Sequence, residues 1–325
     1  METSNVERLF EDIDYLTEIL QQSMNETYLE SLTIALETIF YQELPEGVDD
    51  GLMQKLQTIP DVVSYDVVEI RKAVQLATLK GMKGATQQQH LMTPETVAMF
   101  VGYLAEKVTK GEGDLRVFDP AGGTGNLLTT VIEQLDKLEY VAAGEVDPTL
   151  IKLAVMSANL QQKEIEFFHQ DSLRPFLMDP VDLVVSDLPV GYYPDDIRAG
   201  GYELKADEGH SYAHHLFIEQ SINYTKPGGY LIFVIPEFLF DSDQSDKLHA
   251  YLQENAHMIG VLQLPETVFK STINRKSIMM LQKKGPETTA LKQPLLVQVP
   301  SFKNTKAMND ILAQMNNWFK VNMNK

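Results

Sequence analysis

The apolar positions of the first eighty residues recur at three- and four-residue steps. Val6, Leu9, Phe10, Ile13, Leu16, Ile19 and Leu20 mark one face of a helix, and Leu29, Leu32, Leu36, Ile39 and Phe40 mark another. Pro45-Glu46-Gly47 interrupts the pattern. A shorter helix over 52–59 and a fourth over 66–79 are expected to follow. Short links between them predict an antiparallel bundle over residues 1–84. Its apolar faces are expected to pack on the next domain or to form a homodimer contact.

From Thr93 the period changes. Thr93-Pro94-Glu95 reads as a helix start, with Thr as N-cap, Pro at the first helical position and acid in the first turn. Short apolar runs at 115–118, 140–146, 165–168, 181–185 and 230–235 then alternate with helical patterns such as 148–160 and 213–224. Apolar strands alternating with helices predict an α/β fold whose parallel sheet is covered on both faces. The runs at 257–264 and 277–281, joined by a polar link, predict an antiparallel pair at one edge. A strand at 295–299 and an amphipathic helix through Met308, Ile311, Leu312, Met315 and Phe319 complete the pattern.

Composition narrows the class. Hydrophobic residues make up 44% of the 325 residues, enough for a buried core and one large or two ordinary domains. There is no cysteine, which excludes disulfides, thiolate catalysis and cysteine-bound zinc. Net charge is 27 − 46 = −19. Residues 1–80 hold 16 acids and 5 bases, or −11, leaving −8 for the remainder. This argues against a broad basic surface that holds nucleic acid alone. The greasiest stretch, 230–240, is too short to span a bilayer and contains Pro236 and Glu237. A soluble, cytoplasmic protein without membrane contact is expected.

The strongest local signal is Asp119-Pro120-Ala121-Gly122-Gly123-Thr124-Gly125-Asn126, between the first strand of the sheet and a helix. Glycines there let a ligand approach the backbone at a strand's carboxyl end. A dinucleotide fingerprint would need glycine where Leu128 stands, and a phosphate loop would need a lysine that is missing. Asp119 would repel a pyrophosphate and suits an amine or a cation. S-adenosyl-L-methionine, with its amino group, sulfonium, ribose and adenine, fits this chemistry. Glu145, followed by Val146, ends the second strand where an acid bonds ribose hydroxyls in nucleoside-binding sheets. Asp147-Pro148 reads as a helix cap. Asp171, followed by Ser172, is placed to accept from an adenine amino group, or else caps its own loop.

The fourth strand runs into Ser186-Asp187-Leu188-Pro189-Val190-Gly191-Tyr192-Tyr193-Pro194. With this block the chain resembles class I S-adenosylmethionine-dependent methyltransferases. More closely, it resembles the N6-adenine DNA methyltransferases that serve as modification subunits of type I restriction systems. The resemblance spans about residues 85–285. It is carried by His90-Leu91-Met92-Thr93-Pro94, Asp119 to Asn126, Gly144-Glu145, Asp171, Asp187 to Val190, Lys226-Pro227-Gly228-Gly229 and the stretch from Leu264-Pro265 through Phe269. It implies a Rossmann-like, seven-stranded, mostly parallel sheet over 85–325. It also implies cofactor contacts from His90, Thr93, Asp119, Ala121, Gly123, Gly125, Asn126, Glu145, Val146, Asp171, Ser172 and Asp187. In the family, the Asn or Asp side chain and the next carbonyl accept the amine hydrogens of the acceptor and aim its lone pair at the methyl group. Here those groups are Asp187 and Leu188, followed by Pro189.

The chain departs from the family's Asn-Pro-Pro-aromatic pattern. Asp187 replaces Asn, Leu188 replaces the first Pro, and Val190 replaces the aromatic residue that stacks on a flipped base. Tyr192 or Tyr193 stands in for it, or both are ordinary loop aromatics. The expected activity is methylation of an amino nitrogen, with adenine N6 in DNA as the implied acceptor. RNA or protein acceptors, or a weakened cofactor-binding regulator, are the alternatives. The resemblance also implies nucleic acid as a weakly held partner and a protein partner that supplies sequence specificity, because residues 286–325 are too few for a base-reading domain. The polar connection from Pro189 to Ala213 is expected to be functional or mobile. His210, His214 and His215, close together at its end, are expected to start a helix facing solvent, and no metal site is expected.

Overall fold

The computed structural model describes residues 4–46, 59–83, 92–269 and 275–323. The helix expected over 52–59 falls almost wholly outside them.

Among the described residues, three helices form the amino-terminal bundle: α1 (Asn5–Met24), α2 (Tyr28–Tyr41) and α3 (Val67–Met82). Each opens with a capping box, Ser4/Glu7, Thr27/Glu30 and Asp66/Glu69, in which the cap side chain and the acid three residues on satisfy each other's backbone N–H. Leu9, Ile13, Leu16 and Leu20 of α1 meet Leu32, Leu36 and Ile39 of α2 and Ala73 and Ala77 of α3 in a common core. That core continues into Leu150, Leu153, Met156 and Leu160 of α6 (Pro148–Leu160). The bundle thus closes over a helix of the sheet domain.

The sheet domain begins with α4 (Glu95–Val108), followed by β1 (Leu115–Asp119), α5 (Asn126–Ile132), β2 (Leu138–Glu145), α6 and β3 (Glu166–His169). After it come β4 (Val181–Asp187), α7 (Asp196–Ala199), α8 (Ala213–Tyr224), β5 (Thr225–Pro236), α9 (Ser245–Asn255), β6 (Ala256–Gln263), β7 (Lys276–Lys283), β8 (Leu295–Gln298) and α10 (Thr305–Asn322). The order across the sheet is β3-β2-β1-β4-β5-β7-β6-β8. The first five strands are parallel, and β7 runs antiparallel to both β5 and β6. The expected seven strands become eight, because β8 adds parallel to β6 at the edge. The number seven comes from the resemblance; the periodicity itself marks eight runs, and the one at 295–299 is β8.

Alternation along the strands sends successive residues to opposite faces. Val117, Leu183 and Ile232 pack under α4, α5 and α10, while their neighbours Phe118, Val184 and Leu231 pack under α8 and α9. Both faces are covered, as the unbroken apolar runs require.

The connection from Pro189 to Ala213 is anchored rather than free. Tyr193 donates its backbone N–H to the Ser211 carbonyl at 2.8 Å, and Ala213 donates to the Gly191 carbonyl at 2.9 Å. Buried Glu219 accepts the N–H groups of Glu203 (3.0 Å) and Leu204 (2.8 Å). The histidines also differ from expectation. His214 and His215 are fully buried, and only His210 faces solvent, beside Asp196. Desolvation pushes the ring of His214 down to about 3 and that of His215 down to about 4, so both are neutral. No group of three His, Cys, Asp or Glu among the described residues is placed to hold a metal.

Candidate active site

Parallel strands bring their carboxyl ends to one edge, so Asp119, Glu145 and Asp187, the last residues of β1, β2 and β4, face a common crevice. Asp171 follows β3 by two residues. The crevice is a cavity of about 550 Å³. Thr93, Asp119, Ala121, Gly123, Asn126, Glu145, Val146, Asp171, Ser172, Asp187, Leu188 and Pro189 line it. Gly125 stands behind the wall as the N-cap of α5. Tyr192 lies off the wall, 61% exposed and stacked on Tyr212 with ring centroids 4.9 Å apart. Tyr193 is buried. His90 lies outside the described residues.

The glycine loop is built for close approach. Gly123 has φ +54° and a side chain there would meet nothing within 4 Å, so its backbone lies bare. Gly125 has φ +77°, and a Cβ would sit 3.3 Å from that of Ala154 on α6. Glu145 braces the loop from the next strand. One carboxylate oxygen accepts the Gly123 N–H at 2.9 Å, and the other accepts those of Val146 and Asp147 at 2.8 Å. Asp147 accepts from Thr149 and Leu150 and caps α6.

Asp119 is buried and accepts from Ser186 Oγ at 2.8 Å and from the Ala121 N–H at 3.0 Å. Burial raises its carboxyl to about 7 despite those bonds, with the Asp187 and Glu145 charges adding to the shift. Asp171 accepts the Leu173 N–H at 3.0 Å with one oxygen and the Tyr193 hydroxyl with the other. Burial, then this bond, raises the Tyr193 phenol above its ordinary value.

At the end of β4, both Asp187 oxygens have partners. Thr93 Oγ1 donates to Oδ2 at 2.9 Å, and Lys276 Nζ pairs with Oδ1. Thr93 therefore does not cap α4. Its N-cap is Pro94, and the Thr93 hydroxyl serves the site instead. Leu188 is buried and donates its N–H to the Val234 carbonyl at 3.1 Å, which fixes the segment against β5.

Lys276, Arg275, Phe238, Phe217 and Met82 also line the cavity, and sequence reasoning missed them. Phe238 lies just past the carboxyl end of β5, the position where open α/β sheets bind ligands, and Pro236-Glu237 marks that strand end. Lys276 has no such signal, because β7 runs antiparallel and reaches the crevice with its first residue.

The profile of the N-6 DNA methylase family matches residues 80–319. The chain belongs to the N-6 DNA methylase family. A second profile, the YtxK N-terminal helical domain, matches residues 7–82. The uncharacterized protein YtxK of Bacillus subtilis (strain 168) is 45% identical over 326 residues, covering 98% of this chain and 99% of its own. The crystal structure of a candidate class I S-adenosylmethionine-dependent methyltransferase from Listeria monocytogenes is 42% identical with TM-score 0.90, covering 97% of this chain and 99% of its own. The modification subunit of a candidate type I restriction enzyme from Vibrio vulnificus shares the fold at 17% identity and TM-score 0.65, over 87% of this chain and 65% of its own.

The methyl donor of the N-6 DNA methylase family is S-adenosylmethionine, and the crevice fits it. Its donors are an ammonium, two ribose hydroxyls and an adenine amine. The wall offers acceptors for them in Asp119, Glu145 and Asp171. Two further buried atoms there, Asn126 Oδ1 and Ser172 Oγ, have no partner. Asn126 donates from its amide nitrogen to the Thr93 carbonyl at 2.8 Å, leaving Oδ1 as an acceptor that a ligand donor would satisfy.

Proposed function

We propose that this chain methylates the N6 amine of adenine in DNA, with S-adenosylmethionine as methyl donor, in the cytoplasm. The observation that carries the reading is the presence of Asp187, Leu188 and Pro189 in the same cavity wall as Asp119, Glu145 and Asp171. The cofactor supplies a sulfonium-activated methyl group. Asp119, Asn126 and Glu145 hold and orient its amino acid and ribose ends, and Asp171 accepts from its adenine. Asp187 and the Leu188 carbonyl accept the two hydrogens of the acceptor amine, which aims the nitrogen lone pair. Phe238, 40% exposed and lining the cavity, supplies the aromatic face that Val190 lacks.

Net acidity favours a partner that grips the duplex and reads the target sequence. Type I restriction enzymes, whose modification subunits share this fold, support that expectation.

A cofactor-binding regulator without transfer is the second reading. It is favoured by the full engagement of Asp187 with Thr93 and Lys276. The test is transfer of radiolabelled methyl groups to DNA, RNA and protein pools, with mass analysis of adenine from cells with and without the gene. N6-methyladenine that disappears with Asp187→Ala, while cofactor binding persists, supports the first reading. Cofactor binding with no transfer to any pool supports the second.

A further inference from the structure

We infer that Lys276 is a specificity-determining residue that offsets the charge of Asp187 and so leaves the methyl-acceptor pocket selective for a neutral amine over an ammonium. The inference rests on the reading of the crevice as a methyltransferase site and names its substrate class.

The pair is well placed for this. Asp187 and Lys276 side chains are 12% and 15% exposed, and both line the cavity. They come from the end of β4 and the start of β7, the two strands that flank β5 in the sheet. Thr93 Oγ1 holds Oδ2 at 2.9 Å, so the carboxylate cannot rotate away from the lysine without losing a second bond. Arg275 also lines the cavity, but its guanidinium is drawn to Glu266 and Glu237. Lys276 is therefore the cation matched to Asp187.

The consequence is electrostatic. Asp187 alone would present a full negative charge to the acceptor and would attract an ammonium, the form in which aliphatic amines exist near neutral pH. An ammonium has no lone pair to receive a methyl group. With Lys276 beside it, the pair is neutral overall but keeps carboxylate lone pairs that accept N–H groups. A conjugated amine, such as the exocyclic amine of a nucleobase or a side-chain amide, is uncharged and suits this environment. A lysine side chain does not. A unit charge about 5 Å away in a partly solvated site changes binding of a cation by roughly ten- to a hundredfold.

Calorimetry with two cofactor-site ligands isolates the effect without needing turnover. S-adenosylhomocysteine is neutral at the reacting position, and sinefungin carries a primary amine there. The ratio of their dissociation constants is compared in the full-length chain and its variants. Lys276→Gln is expected to shift the ratio at least about tenfold toward sinefungin. Asp187→Asn is expected to shift it the opposite way, the double variant to return near the parent ratio, and Lys276→Arg to keep it. A ratio unchanged in Lys276→Gln, with both ligands still bound, overturns the inference. Failure of the parent chain to bind either ligand would instead overturn the methyltransferase reading on which it rests.

Discussion

The carboxylate of Glu145 accepts the backbone N–H of Gly123 at 2.9 Å, so the acid at the end of β2 holds the glycine loop that follows β1. The same side chain takes the N–H groups of Val146 and Asp147. It shapes the loop and lines the cavity at once. Glu145→Ala should weaken S-adenosylmethionine binding by more than tenfold and lower stability by about 1–3 kcal/mol, because bonds to a charged acceptor are lost. Calorimetry and urea unfolding measure the two losses. Full cofactor affinity in Glu145→Ala would remove Glu145 from the site.

Asp119 should make both stability and ligand affinity pH-dependent, in opposite directions. Its carboxyl is raised from the ordinary 3.8 to about 7 by burial. The folded protein therefore holds this proton more tightly than the unfolded chain. Its contribution is fully present below about pH 4 and is lost as pH rises through about 7. A cationic ligand prefers the carboxylate, so cofactor affinity should rise across the same window and level off above it. Asp119→Asn should flatten both profiles and leave the ligand-free protein more stable at pH 8. Thermal melts and titrations from pH 5 to pH 8.5 test this, and an affinity profile identical in the Asn variant would contradict it.

Gly125→Ala tests the loop's backbone. The position needs φ +77° and a Cβ would crowd Ala154 at 3.3 Å. A loss of about 1–2 kcal/mol is expected from the left-handed backbone alone. Cofactor affinity should fall with it, because the turn delivers the loop to α5.

Arg71 and Glu95 link the bundle to the sheet domain. The Arg71 guanidinium, 5% exposed on α3, donates to Glu95 in the first turn of α4 at 2.8 Å. Its Nε and Nη1 atoms are buried without partners. Glu95→Ala should cost about 2–4 kcal/mol, since it strands a buried cation. The double change Arg71→Met, Glu95→Leu should recover most of that. Denaturant midpoints for the two variants decide, and equal losses would mean the pair is not coupled.

Phe238→Ala should reduce methyl transfer to DNA while leaving S-adenosylmethionine affinity within about threefold, with Phe238→Tyr recovering most of the rate. Equal losses of cofactor binding and transfer would place Phe238 among the cofactor contacts instead.

Much of this site was legible because its acids lie at strand ends. A strand end is marked locally, by an apolar run that stops, and parallel strands are obliged to share an edge. Asp119, Glu145, Asp171 and Asp187 therefore group together from the sequence alone. Tyr192 shows the limit. It stands only five residues past Asp187, yet its ring turns outward onto Tyr212, because the bridge between Tyr192 and Tyr212 sets its direction. His214 and His215 show the same limit, since a polar composition around them gave no hint that α8 buries its first turn.

The sequence by itself determined the bundle followed by an α/β sheet, the glycine loop and the series of acids that follow it. These depend on periodicity and short-range backbone constraints, which neighbouring residues carry. Only the tertiary structure decided what Asp187 touches. Thr93 is 94 residues away and Lys276 is 89. The antiparallel pairing of β7 with β5, in which Lys276 stands opposite Pro236, brings the lysine to the crevice. Register across a sheet is a property of the whole packed core, and no local pattern around residue 187 or 276 encodes it.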